Sequence, residues 1–248
     1  MRDKYITKEA WVKIVSYFKS KKRVYIKSEE GFKMFIEGVF WMAKEGARWR
    51  ELPKKYGEWN SVFKRFSVWS CKEIWDQFFE FCSQDPDLEY VMIDSTSVRA
   101  HACAAGYKKN SIEALGRSRG GFTTKIHAMV DALGNPIKFI LTPGQSSDVT
   151  QASELLKNIS NAHVIADRGY VSDELRSELI QRNCTVVIPN KCNTKNYFYD
   201  RFIYQDRYKI ECFFSKIKQF RRIFSRFDKS ARNYLSFLSF VGAFLWLR

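Results

Sequence analysis

Tyr204-Gln205-Asp206-Arg207-Tyr208-Lys209-Ile210-Glu211-Cys212-Phe213-Phe214-Ser215-Lys216-Ile217-Lys218 is the stretch on which the reading of this chain turns. At about 100° of rotation per helical residue, Tyr204, Arg207, Glu211 and Lys218 fall within an arc of roughly 60°. Ile210, Phe213, Phe214, Ile217, Phe220 and Phe224 gather on another face. The spacing predicts an amphipathic helix docked by its aromatics, with a carboxylate at the rim beside two cations and a phenol. An Arg207/Glu211 pair on a solvated face would give the same pattern and contribute only about 0.3 kcal/mol, so acids elsewhere in the chain must decide between the two.

Two such acids stand upstream. Tyr90-Val91-Met92-Ile93-Asp94-Ser95-Thr96-Ser97-Val98 is a short β-prone apolar run reaching an acid, and His163-Val164-Ile165-Ala166-Asp167-Arg168-Gly169-Tyr170 repeats that grammar. Between them, Leu133-Gly134-Asn135-Pro136 marks a turn, so 122–131 and 137–142 read as a hairpin. Asp148 reads as the N-cap of a helix through Leu156. A helix from Asp173 to Gln181 and a strand from Thr185 to Pro189 follow. The order of strand, hairpin, helix, strand, helix, strand and long helix predicts an α/β fold with a mixed sheet flanked by helices. If the 90–98 and 163–167 strands are neighbours, Asp94 and Asp167 lie side by side, and like charges that close call for a cation. Glu211 would supply a third oxygen donor. Three carboxylates without His or Cys suit Mg²⁺ or Mn²⁺ rather than zinc.

Charge agrees with a polyanionic partner. The net charge is +15, and residues 191–248 alone hold 13 Lys and Arg against 4 Asp and Glu. Nucleic acid is the natural match for such a field, with anionic membrane lipid as the lesser alternative. The six cysteines form no C-x-x-C pair, and no signal peptide is legible at the N-terminus, which points to a reducing cytoplasm. The apolar run from Tyr234 to Leu247 is too short to span a bilayer and reads as a closing core helix.

Residues 1–88 read as a separate helical domain, with Asp85-Pro86-Asp87 at its boundary and residues 89–248 as the second domain. Ser28, Glu29 and Glu30 open a helix that Gly46 stops. Trp59 to Trp69 and Lys72 to Phe81, joined at Ser70-Cys71, have the outline of a helix-turn-helix that could read DNA. The loop Gly116-Arg117-Ser118-Arg119-Gly120-Gly121 leads into Lys125; its glycines admit a close ligand and its cations suit phosphate, but it lacks the spacing of a nucleotide-binding loop.

Taken together, these motifs resemble the DDE transposases of bacterial insertion sequences, and within them insertion-sequence family five. Tyr204, Arg207, Glu211 and Lys218 match that group's signature of Tyr, two residues, Arg, three residues, Glu, six residues, Lys. Asp94 in Asp-Ser-Thr-Ser-Val-Arg-Ala-His and Asp167 in Ala-Asp-Arg-Gly-Tyr are similar to the surroundings of its first and second acids. Thr142-Pro143-Gly144-Gln145, Asp228-Lys229 and Trp49-Arg50-Glu51-Leu52-Pro53 are similar to the family as well. Cys212 departs from it, standing where relatives usually carry a basic residue. The resemblance implies a ribonuclease-H-like catalytic domain behind a helical DNA-binding domain. It implies Asp94, Asp167 and Glu211 as catalytic ligands of two Mg²⁺ or Mn²⁺ ions. Tyr204, Arg207 and Lys218 are then expected on DNA phosphates, with Arg117, Arg119 and Lys125 as further contacts. The implied activity is cleavage and transfer of DNA strands at terminal inverted repeats, by a homodimer on double-stranded DNA. A stand-alone nuclease of the same fold and a catalytically idle DNA-binding regulator are the alternatives.

Overall fold

A computed structural model describes residues 6–22, 24–105, 113–118, 120–191 and 197–248. Its organising strand is β1 (Tyr90–Ala100), apolar on both faces at its start and therefore central. Along one side β1 pairs antiparallel with β3 (Gly121–Val130), which pairs antiparallel with β4 (Pro136–Pro143). Along the other side β1 runs parallel to β5 (His163–Ile165), and β5 runs parallel to β6 (Thr185–Val187). The order β4-β3-β1-β5-β6 is the mixed ribonuclease-H-like sheet that the resemblance implies. A short β2 (Gly116–Ser118) extends β3, and β7 (Ser225–Arg226) pairs with the end of β1. The β3–β4 hairpin closes where Asp131 Oδ1 accepts from the Leu133 and Asn135 amides, and Gly134 adopts φ +83°. A side chain would strain that backbone.

The helices cover both faces. α1 (Lys8–Ser20), α2 (Glu29–Glu45), α3 (Trp59–Cys71) and α4 (Ile74–Cys82) precede the sheet, and α5 (Ala102–Ala105) follows β1. Ser28 Oγ caps α2 by accepting from the Gly31 amide, and Gly46 ends it at φ +62°. α6 (Ala152–Leu155) and α7 (Asp173–Gln181) pack Leu155 and Leu179 on the back face of the sheet, in a core with Val91, Ile93 and Val164. On the front lie α8 (Arg201–Gln205), α9 (Tyr208–Lys218), α10 (Arg221–Phe224) and the apolar α11 (Ala231–Trp246). Phe66 of α3 stacks on Phe237 at 4.3 Å, Trp75 of α4 meets Phe240 edge-on at 5.2 Å, and Phe79 stacks on Phe139 of β4. The helices before residue 88 and the sheet after it thus bury their aromatics in one continuous front core. No helix among the described residues is long and apolar enough to cross a membrane.

Several local expectations change. The signature stretch is not one helix: α8 and α9 meet at Asp206 and Arg207, where three-residue hydrogen bonds tighten the turn. Phe224, expected on the buried face, is 60% exposed, because extended backbone at Phe220 restarts the helix in a new direction. Asp94 does not end its strand, since pairing with β3 carries β1 on to Ala100. Only the pairing with β5 stops short of it, at Met92. β6 stops at Val187 rather than Pro189, consistent with a proline that has no amide to donate. The α3–α4 joint falls at Lys72 and Glu73, where Glu73 takes φ +56°, and not at Ser70-Cys71. Asp148 caps no helix: Ser147 holds that position ahead of a tight turn at Asp148–Gln151, and the aspartate side chain binds elsewhere.

Candidate functional site

The parallel pairing of β1 with β5 sets the geometry. Met92 faces Ile165 in register, so Asp94 and Asp167, each two residues on, occupy matching places on the same face of the sheet. That is the front face, beneath α9. The amide of Ser95 donates to Asp94 Oδ1 at 2.7 Å, and the amide of Gly169 donates to Asp167 Oδ1 at 2.7 Å. A side chain at Gly169 would bring its Cβ to 2.8 Å from that oxygen, so the tight turn after Asp167 depends on glycine.

α9 is pressed onto this face by Ile210, Phe213, Phe214 and Ile217, all buried, with Phe213 stacked on Phe139. That docking leaves Arg207 and Glu211 at the rim. Arg207 Nη1 donates to Asp94 Oδ2 at 3.1 Å, and Nη2 reaches Glu211 Oε1. Burial works against the charged guanidinium, but Tyr204, Asp94, Glu211 and Asp167 together outweigh it and raise its pKa. The structure therefore brings Asp94, Asp167 and Glu211 together around one guanidinium. Among the described residues, however, no three acid side chains stand close enough to share an ion directly.

Asp94 is the perturbed acid. Burial pushes its pKa up to about 6, and the neighbouring carboxylates of Asp167 and Asp148 add to this; the Ser95 amide and Arg207 act in the opposite sense. A buried acid held off its usual ionisation, facing a second carboxylate, is an arrangement that a hard cation relieves. The donor set fits Mg²⁺ or Mn²⁺ in kind, being oxygen only; completing it would take a side-chain rotation of Glu211, which is more than half exposed.

Residues 85–245 match the family model described as transposase DDE domain, and residues 6–79 match the putative transposase of IS4/5 family. A putative transposase for insertion sequence element IS6501 from Brucella ovis is 40% identical over 130 residues, covering 51% of this chain and 99% of that protein. The chain belongs to the DDE transposase family. The N-terminal match names insertion-sequence families four and five together, a coarser grouping than family five alone. An uncharacterised protein from Sinorhizobium fredii, y4sN, is 39% identical over 77 residues, 31% of this chain and 62% of its own length. Among solved structures, the piggyBac transposase synaptic complex with hairpin DNA overlaps 78% of this chain at TM-score 0.44 and 16% identity; the chain spans about half, 49%, of that protein. The Mos1 transposase paired-end complex overlaps 84% of this chain and 87% of its own at TM-score 0.29 and 12% identity. Overlaps this loose carry no weight for function.

The remaining signature residues of this transposase are less gathered. Tyr204 lies edge-on to Tyr199 at 5.8 Å and beside Arg207. Lys218 is half-buried at the far end of α9, away from the acids by the length of the helix. Arg117 is exposed, with its guanidinium 5.9 Å from the Phe122 ring centre. Arg119 lies outside the described residues. Lys125 is not free for DNA in this structure: Nζ pairs with Asp148 Oδ1 at 2.9 Å and donates to the Ser146 carbonyl at 2.7 Å.

Sequence reasoning missed the polar group behind the sheet. Ser95 Oγ donates to Asp148 Oδ1 at 2.6 Å, and buried His127 Nδ1 stands 3.9 Å from the same oxygen. Lys125 and His127 alternate on an otherwise apolar strand, and that alternation was the available signal. Buried Tyr170 has its acidity suppressed, first by burial and then by Asp148, Asp94 and Asp167, so its phenol stays protonated and is no nucleophile.

Proposed function

We propose that this transposase binds the ends of an insertion sequence in the bacterial cytoplasm and there cleaves DNA strands and transfers them to a target. The observation that carries this reading is the matched placement of Asp94 and Asp167 on adjoining parallel strands, with Glu211 tied to Asp94 through Arg207. In it Asp94, Asp167 and Glu211 hold two Mg²⁺ or Mn²⁺ ions. Such ions supply activation of the attacking oxygen and stabilisation of the leaving oxygen in an in-line displacement. The chain's own part is to fix the carboxylates. The Ser95 and Gly169 amides orient two of them, and α9 presents the third. Tyr204, Arg207 and Lys218 line the approach for phosphate oxygens, with Arg117 as an outer contact. Lys125 serves the Asp148 group behind the sheet in the resting arrangement, and Arg119 is retained as a phosphate contact.

Recognition of the element ends belongs, in this reading, to the helical region of residues 1–88, acting in a homodimer on DNA. α4 is poorly suited to read bases: it carries Asp76 and Glu80 and no Lys or Arg, and its aromatics are committed to α11. Lys21, Lys22 and Lys72 line one shallow cavity beside α4 and are better placed for phosphates.

The test is incubation with the flanking DNA of the chain's own element plus Mg²⁺, mapping cuts to the nucleotide, followed by pre-cut ends offered with a target. Joined products are expected. Hydrolysis without joining marks a nuclease, and binding without any cut marks a regulator.

A further inference from the structure

Arg207 occupies an unusual position for a DNA contact. Its two terminal nitrogens are spent on two different catalytic carboxylates, Asp94 and Glu211, and Asp167 also acts on its charge. It sits at the turn between α8 and α9, so a small change at Asp206 and Arg207 can swing the side chain without undocking the buried face of α9. A guanidinium and a divalent cation compete for the same oxygens, since each carboxylate lone pair satisfies one of them at a time. A phosphate, in turn, offers the guanidinium the same bidentate geometry that a carboxylate does.

We propose that Arg207 is a positioning residue that holds the acid centre closed to divalent cations until DNA phosphate draws its guanidinium away. This rests on the reading of Asp94, Asp167 and Glu211 as metal ligands and adds an order of events to it. Before DNA arrives, the guanidinium neutralises Asp94 and Glu211 and weakens metal binding. When a phosphate engages Arg207, the two carboxylates are released to the ions, and Glu211 completes the donor set by rotating inward. By thermodynamic reciprocity, DNA strengthens metal binding and metal strengthens DNA binding. The chain is thereby kept from assembling a loaded cleavage centre away from its substrate.

The experiment is Mn²⁺ titration of the full chain without DNA, by calorimetry or electron paramagnetic resonance, comparing the wild type with Asp94→Asn, Arg207→Lys and Arg207→Gln. Arg207→Lys keeps the net charge but has one ammonium, which cannot fork across two carboxylates. It is expected to bind Mn²⁺ at least threefold more tightly than the wild type, and Arg207→Gln more tightly still. A residue needed merely to build the site would give the opposite sign. Unchanged or weaker binding by Arg207→Lys overturns the proposal, and so does a gain confined to Arg207→Gln, which would reflect net charge alone. Asp94→Asn separates this from the underlying reading. If it binds Mn²⁺ as the wild type does, the metal-ligand assignment itself fails; if it loses binding while Arg207→Lys is unchanged, only the gating role fails.

Discussion

Arg222 and Arg207 are separated by fifteen positions and do opposite things with the same chemistry. Arg222 is buried and saturated. Its Nε and Nη2 each donate to Asp228 at 2.9 Å, Nη1 donates to the Ala47 carbonyl at 2.9 Å, and its plane lies against Trp49 and Phe237. Arg226 beside it, fully buried, donates to the carbonyls of Asp228, Lys229 and Glu113 and to Thr124 Oγ1. In that region one guanidinium meets one carboxylate with full geometry, and the pair locks α10 to the end of α2. At the sheet rim Arg207 is shared between two carboxylates, is partly open to water, and faces a third acid with no bond to it. A saturated pair is structure; a shared one can be exchanged for another partner. The difference lies in the number of acids per cation and in access of solvent, not in residue type.

The sharpest way to break this contrast is at Asp94. Asp94→Asn is expected to abolish Mg²⁺-dependent strand cleavage while leaving DNA binding in place or tighter, measured by cleavage gels beside a binding titration. Full cleavage by that variant would remove the rim from the catalytic account. Stability should rank the two arginines in the reverse order. Truncating Arg222 strands Asp228 in the core and is expected to cost about 3–5 kcal/mol in denaturant melts, whereas Arg207→Ala costs no more than about 1 kcal/mol after solvent screening. Equal losses would mean that both pairs are structural.

Next in size is the pH dependence. Asp94 holds its proton up to about pH 6 in the fold but releases it near 4 when unfolded, so its contribution to stability falls as pH rises through that window. Burial depresses His127 to about 4, so the unfolded chain takes up the proton first and stability is lost as pH falls from about 6.5 towards 4. Asp94→Asn should therefore steepen the rise of melting temperature with pH between 4 and 6, and His127→Gln should flatten it. The smallest, most diffuse effect is that of salt. Because residues 191–248 carry the largest basic excess, DNA affinity should fall linearly on a log–log plot against salt, and neutralising Lys218 should lower the slope by about one.

Much of the fold was legible because period and punctuation carry it. The helix over Asp173–Gln181 was read from sequence with the bounds that the structure gives. The hairpin around Gly134 and the arrest of α2 at Gly46 followed from residues with one natural conformation there. What was misread involves partners that are distant in sequence. Asp148 had the credentials of a helix cap, yet Ser95, 53 positions earlier, and Lys125 claim its carboxylate. Residues 1–88 were read as a separate domain from a change in pattern at Asp85-Pro86-Asp87, whereas Phe66 on Phe237 and Trp75 on Phe240 show a core that ignores that boundary.

By itself the sequence determined which side chains are present at which helical and strand intervals: three acids, the Tyr-Arg-Glu-Lys spacing, and alternation on β3. Those are local properties, fixed by the rotation and rise of each residue. Only the tertiary structure decided that Asp94 and Asp167 share a face, that Arg207 stands between Asp94 and Glu211, and that Lys125 is already paired. Register between strands and the docking angle of a helix come from packing between distant segments, and no interval along the chain encodes them directly.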